Sequence, residues 1–350
     1  MAAGLSHLGA MRYAVVGTCK GSGMTVGPLV VTLGMSERSR AIVAEVLGGG
    51  EAVYLSDVEP GDRAVVLRGA GALLSNDISD ELSPDERQMI GNAKLLQFTA
   101  AGIDWVPILD LPPALPVAGN GGASAEPMAE HVVAMAMACA KRLFFEHDAL
   151  KRGVFNQRSP NKMLRGGVCG ILGFGGVGVA TGRLVRGLGM KVHAINRSGR
   201  SDEPVDWIGT PDRLDEMLAA ADLFVVCLAL TRHTLGMIGA RELGLMKEDA
   251  ILVNVARGEI VDEDALYAHL VAHPRFYAGI DAWWIEPVRH HRFAMGHDFL
   301  SLSNVVGSPH NSAGGGVWRD VSLRRAVANC RRALAGGAPL HLVRDEERMM

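Results

Sequence analysis

From Leu29 onward, short apolar runs alternate with segments whose apolar residues recur at helical spacing. LVVTLG (29–34) is followed by SERSRAIVAEVL, GALLSN (71–76) by SPDERQMIGN, and then comes KLLQFTAAG (94–102). This rhythm predicts strand–helix–strand units and a parallel sheet covered on both faces. Residues 107–124, PILDLPPALPVAGNGGAS, are crowded with Pro and Gly, which predicts a hinge. From Glu126, EPMAEHVVAMAMACAKRLFF predicts one long helix. Its apolar residues fall on nearly every face, so it should be buried on two sides, as at the interface of a homodimer.

A second rhythm runs from Val168 to His310. Its apolar runs are VCGIL, ADLFVVCLAL, DAILVNVARG, FYAGIDAWW and NVVGSPH, separated by the helical patterns PDRLDEMLAA, ARELGLM and DEDALYAHLVAH. Near-continuous apolar strands fit a buried parallel sheet. The amphipathic tail VWRDVSLRRAVANCRRALAGG predicts a helix that returns to the first half.

Composition narrows the class. The chain has 350 residues, 48% of them hydrophobic, enough for two cores. A net charge of −3 offers no basic footprint for nucleic acid and no polybasic membrane surface. No signal-like N-terminus or membrane-length apolar window is present, and the five widely spaced cysteines fit reduced thiols, so a cytoplasmic location is expected. GTCKGSGMTVG (17–27) lacks the order of a phosphate-binding loop and reads as a surface turn; HHRF (290–293) with His297 matches no zinc spacing and reads as a solvated loop, so no metal is expected.

Residues 168–197 carry the first chemistry. The run Val168–Leu172 stops at Gly173-Phe174-Gly175-Gly176-Val177-Gly178, continues as an amphipathic helix and re-enters a strand at Val192. Gly173 permits a tight turn, Gly175 lets the backbone approach a pyrophosphate, and Gly178 lets the helix pack on the strand. The diphosphate then rests on the N–H groups of the helix start. At the end of the second strand, where NAD-binding chains carry an acidic residue for the ribose, stand Asn196, Arg197 and Ser198. The Arg197 guanidinium and the Ser198 hydroxyl suit a 2′-phosphate, which predicts NADP; the alternative is an exposed Arg197 with NAD held through Asn196.

Three further segments end on charged residues beyond apolar strands: Arg257 in NVARGEIVDEDAL, Asp281 and Glu286 in GIDAWWIEP, and His310 in GSPHNSAGG. In an open α/β sheet the ligand crevice lies outside those strand ends. An Arg, a Glu and a His from different strands can therefore converge beside a nicotinamide. Singly, each is equally a surface charge, a loop carboxylate or a turn residue.

Together these motifs, with LTRHTLGMIGARELGLMK before them, resemble the D-isomer-specific 2-hydroxyacid dehydrogenases, and within them glyoxylate and hydroxypyruvate reductases. The resemblance implies a Rossmann-type, doubly wound parallel sheet (residues 123–312) inserted in a flavodoxin-like α/β substrate domain (1–122 plus 313–350). It implies that His310 is the acid/base, with Glu286 favouring its charged form, and that Arg257 clamps the carboxylate of a small 2-oxoacid. Backbone N–H groups near Asn76 and Asp77 would hold that carboxylate from the other domain, and Asp281 the nicotinamide carboxamide. Leu228, Ala229, Thr234, Val255 and Ala256 would line the cofactor cleft. Ala229 departs from the family's usual Pro, TAAG (99–102) from its usual GAG, and Trp283 and Trp284 are bulkier than its usual residues. Other readings of the same motifs are a dinucleotide-sensing corepressor and a phosphite or formate dehydrogenase; Glu286 stands where the formate enzymes pair their His with Gln.

Overall fold

In the computed structural model, which describes residues 27–348, twelve strands form two parallel sheets. The first sheet comprises β1 (Leu29–Val31), β2 (Ala52–Tyr54), β3 (Ala72–Ser75), β4 (Leu96–Phe98) and β5 (Val117–Ala118), in the order β2-β1-β3-β4-β5. The second comprises β6 (Val168–Leu172), β7 (Lys191–Ile195), β8 (Trp207–Gly209), β9 (Leu223–Val226), β10 (Ile251–Asn254), β11 (Tyr277–Ile280) and β12 (Val305–Gly307). Its order is β12-β11-β10-β9-β6-β7-β8. The chain reverses its direction of growth between β6 and β9, so a crevice opens outside the carboxyl ends of those strands. The segment 17–26 and Cys19 lie outside the described residues.

Each sheet is buried on both faces, as its uninterrupted apolar strands require. Leu223, Phe224, Val225, Ile251, Leu252 and Val253 have no exposed surface, and neither do Leu29, Val30 and Val31. Helix Gly316–Leu334 packs its Leu323, Ala326, Val327, Cys330 and Ala333 with Leu29, Val31 and Val43 of the first sheet's layer. Most of the C-terminal segment therefore belongs with the N-terminal half.

One sequence expectation changes. The long helix from Glu126 is two helices, Ala125–Ala140 and Leu143–Lys151, broken at Arg142, whose φ of 52° is left-handed. The first packs on helix Gly176–Gly187 and against β10, β11 and β12, which buries Ala129, Val132, Met135, Ala136 and Cys139 and leaves Val133 and Met137 partly exposed. Glu126 and Glu130 form its wet edge. The exposed apolar side chains lie further on, at Leu143, Phe144, Leu150, Val154, Phe155 and Met163.

Candidate active site

The glycine turn after β6 does what a dinucleotide needs. Gly173 has φ 101°, and a Cβ there would strike Leu228. A Cβ on Gly178 would meet the Gly173 carbonyl at 2.3 Å, so the helix can lie this close to β6 only without a side chain. At Gly175 a Cβ would meet nothing within 4 Å, which leaves open space over the first turn of helix Gly176–Gly187. The residues present therefore fit a diphosphate at a helix N-terminus.

Gly176, Val177, Arg197, Leu228, Ala229, Val255 and Ala256 line one groove of about 350 Å³. Asn196 and Ser198 shape the turn beside it. The Asn196 amide donates to the Arg200 carbonyl at 2.8 Å, and its oxygen accepts from the Ser198 N–H and hydroxyl at 3.1 Å each. Thr234 does not line the groove: its hydroxyl donates to the Ala229 carbonyl at 2.9 Å and accepts from the Thr231 N–H at 2.8 Å, which fixes the Ala229–Thr234 turn. The groove also has a second wall that no motif announces. Residues His341–Arg344 and Glu347 line the groove too, held by a bridge from Leu342 to Ala118 and by Arg232 donating to the Asp345 carbonyl at 3.0 Å.

At Arg257 this groove meets a second cavity of about 740 Å³, into which Arg257, Glu286 and His310 converge. Asn254 makes the turn after β10 by donating to the Arg257 carbonyl and accepting from the Ala256 N–H. A Cβ on Gly258 would fall 2.4 Å from the Trp283 carbonyl carbon, so glycine lets the Arg257 loop lie against the Glu286 loop. Arg257 donates from Nε to Asp104 at 2.9 Å and from Nη1 to the Ala256 carbonyl at 2.8 Å, which fixes the plane of its guanidinium. Its Nη2 abuts Gly102, where a Cβ would lie 2.1 Å away.

His310 sits in the left-handed region at φ 48°. Its Nδ1 lies 2.7 Å from Oε2 of Glu286, whose Oε1 accepts from the Trp283 N–H at 2.6 Å. Burial pushes the Glu286 carboxyl up. The His310 hydrogen bond and charge, the Trp283 N–H and the Arg257 charge outweigh that and hold it below the ordinary glutamate range. Glu286 is thus an ionised acceptor, so Nδ1 carries the proton it donates.

Two sequence expectations need correction here. Asp281 has zero exposure, and its oxygens accept from the Ser308 hydroxyl at 2.6 Å and from the N–H groups of Asn311 and Ser312. It pins the loop that carries His310 and presents no free edge to a nicotinamide. The N–H groups of Asn76 and Asp77 are taken by Oε1 of Glu81 at 3.0 and 2.9 Å, an internal carboxylate where a substrate carboxylate was expected. The first-half wall of the cavity is instead the loop Thr99–Gly102 with Trp105. Its signal was present in the unusual TAAG, read without a partner for it.

Of the two tryptophans, Trp283 lines the cavity and Trp284 is core, stacked on Phe299 at 5.2 Å. In the HHRF segment and beyond it, His290 Nδ1 accepts from the Glu286 N–H, and His297 pairs with Asp264 at 2.7 Å. Among the described residues, no group of three His, Cys, Asp or Glu could hold a metal ion, and no helix is long and apolar enough to cross a membrane.

Residues 133–312 match the family model of the D-isomer specific 2-hydroxyacid dehydrogenase NAD binding domain. The chain belongs to the D-isomer specific 2-hydroxyacid dehydrogenases. As a member of that family it is an oxidoreductase of 2-hydroxyacids that uses a nicotinamide dinucleotide. It is 30% identical over 225 residues to a hydroxypyruvate reductase of Thermotoga maritima, covering 63% of this chain and 71% of that one. It is 37% identical over 145 residues to a glyoxylate reductase of Thermococcus gammatolerans, but that match spans only 42% of the relative's length and 41% of this chain. Among solved structures, a glycerate dehydrogenase related protein from Thermoplasma acidophilum superposes with a TM-score of 0.60 at 26% identity, covering 87% of this chain and 99% of that one. A D-isomer specific 2-hydroxyacid dehydrogenase from Xanthobacter autotrophicus, at 23% identity, shares the fold with a TM-score of 0.73, over 93% of this chain and 100% of its own.

Proposed function

We propose that this dehydrogenase reduces 2-oxoacids, the class to which glyoxylate and hydroxypyruvate belong, to D-2-hydroxyacids, with NADPH as the preferred cofactor. The observation that carries the reading is the meeting of Arg257, Glu286 and His310 in one cavity that opens into the glycine-turn groove. When bound, the reduced nicotinamide supplies a hydride. Arg257, its plane fixed by Asp104, takes the substrate carboxylate on its Nη edge against the backbone of Ala101 and Gly102. His310, held through Nδ1 by Glu286, gives the Nε2 proton to the carbonyl oxygen as the C–H bond forms.

NADPH is favoured because Asn196 is spent on shaping the turn and adds no negative charge, while Arg197 lines the groove. Arg344 faces the same groove from the C-terminal segment, with Glu347 beside it. We further read the protein as a cytoplasmic homodimer. The location rests on the free thiols of Cys139, Cys169, Cys227 and Cys330, and the dimer on the exposed apolar residues of 143–163.

NADPH consumption with a panel of 2-oxoacids, together with the handedness of the product, tests the reading; no turnover with any 2-oxoacid, or an L-product, overturns it. Light scattering at micromolar concentration tests the dimer, and a monomer refutes it.

A further inference from the structure

We propose that this site is built for 2-oxoacids with a bulky apolar side chain, branched aliphatic or aromatic, rather than for the smallest members of the class. The proposal rests on the oxoacid-reductase reading above and specifies what lies beyond the carbonyl carbon. In R–CO–COO⁻ + NADPH + H⁺ → R–CHOH–COO⁻ + NADP⁺, the carbonyl π bond breaks and new C–H and O–H bonds form. The nicotinamide is oxidised, and R takes no part in the chemistry. R therefore determines only how the remaining cavity is filled.

The whole cavity, with the Arg257 and His310 end that takes the carboxylate and carbonyl included, measures about 740 Å³, the size that encloses a drug-sized ligand. Glyoxylate has only a hydrogen to put there, and hydroxypyruvate a hydroxymethyl group. The walls are apolar: Trp105, Met128, Trp283, Val288, Phe293 and Leu300. Trp283 is immobilised, its Nε1 donating to the Ser308 carbonyl at 2.8 Å and its ring meeting Phe293 edge-on at 5.6 Å. Trp105 stands beside the carboxylate end, its ring 5.7 Å from the Arg257 guanidinium carbon.

Two observations point to what fills this space. Val288, Phe293 and Leu300 are 70%, 51% and 55% exposed although they line one cavity, so a patch of large apolar side chains is left to water until something apolar covers it. The second arginine is also engaged. Arg289, the cavity's second arginine, pairs with Glu259 at 2.7 Å and Asp104 at 3.5 Å, and Arg257 pairs with Asp104. Apart from Arg257, which takes the 2-oxoacid carboxylate, the cavity's arginine is Arg289, so a further anion on the substrate must compete with Glu259 and Asp104 for it.

The test compares kcat/KM for phenylpyruvate and 4-methyl-2-oxopentanoate with that for glyoxylate, hydroxypyruvate and oxaloacetate, all with NADPH. A single methylene in an apolar pocket changes kcat/KM by about tenfold or more, so both bulky substrates should exceed glyoxylate by at least about tenfold. Val288→Asp and Phe293→Ala alter side chains at least half exposed, so the fold survives them, and each should collapse the ratio of phenylpyruvate to glyoxylate. Glyoxylate or oxaloacetate matching the bulky substrates, or variants that leave the ratio intact, overturns the proposal while sparing the reductase reading. Failure with every oxoacid removes both.

Discussion

Nδ1 of His310 and Oε2 of Glu286 lie 2.7 Å apart, although 24 residues separate them in the chain. The pair joins the loop after β11 to the loop after β12, two neighbouring parallel strands whose carboxyl ends both face the crevice. Asp281 holds one partner's loop and the Trp283 N–H holds the other partner's carboxylate, so neither side chain is free to drift.

His310→Ala is expected to lower kcat about 10²- to 10⁴-fold, the usual worth of a positioned proton donor. Cofactor affinity should change little, since the dinucleotide groove does not include this residue. Steady-state kinetics with a fluorescence titration of NADPH checks both; a kcat within a few-fold of the parent rejects the assigned role.

Glu286 is held below the ordinary glutamate range. Its carboxylate therefore stays charged throughout the neutral and mildly acidic range, and reduction should show no acid-side loss of activity near pH 5. Glu286→Gln removes the negative charge beside the imidazole, so the alkaline limb of kcat/KM should move to lower pH. Identical profiles for parent and variant would falsify the pairing.

Asp104 and Arg257 are paired at 2.9 Å with side chains only 5% and 15% exposed. Asp104→Ala leaves a nearly buried guanidinium without its partner, which costs about 3–5 kcal/mol of stability by analogy with other broken buried pairs. Urea denaturation at unchanged m-value measures it. The same variant should raise KM for the oxoacid, because the Arg257 plane is no longer fixed.

Arg197→Ala should lose about ten- to a hundredfold in kcat/KM with NADPH and little with NADH, since a charge-assisted contact is worth about 1.5–3 kcal/mol. Asn196→Asp should act in the same direction, by repulsion of the 2′-phosphate and by altering the turn. Equal losses with both cofactors would reduce Arg197 to a general surface charge.

Burial and the neighbouring His273 push His269 down to about 4. Its proton is therefore taken up by the unfolded chain before the folded one as pH falls. Above the ordinary histidine range both forms are neutral and His269 contributes nothing; between about pH 6.5 and 4 it increasingly favours unfolding. Thermal melting should fall between pH 7 and pH 4.5, and His269→Phe should flatten that slope. A variant as acid-sensitive as the parent would remove His269 from the account.

The strands and the glycine turn were legible in the sequence because they are local. An apolar run between turn residues makes a strand, and a GxGxxG between strand and helix makes a phosphate cradle, whatever the rest of the chain does. The set of Arg257, Glu286 and His310 was legible for a related reason: in a parallel sheet each strand's carboxyl end points the same way, so the strand pattern alone brings them to one edge.

What depended on which partner a side chain finds, or on one backbone angle, was not legible. Glu81 reaches back to the Asn76 and Asp77 amides, Asp281 turns inward to the His310 loop, and Arg142 breaks a helix whose composition would have continued it. That Ala125–Ala140 lies along helix Gly176–Gly187 could be seen only in the fold. Hydrophobic periodicity says that a face is buried and where a strand ends. Which surface covers that face, and which amide a carboxylate finds, is decided by packing across the whole molecule, where burial of one group excludes every competing partner.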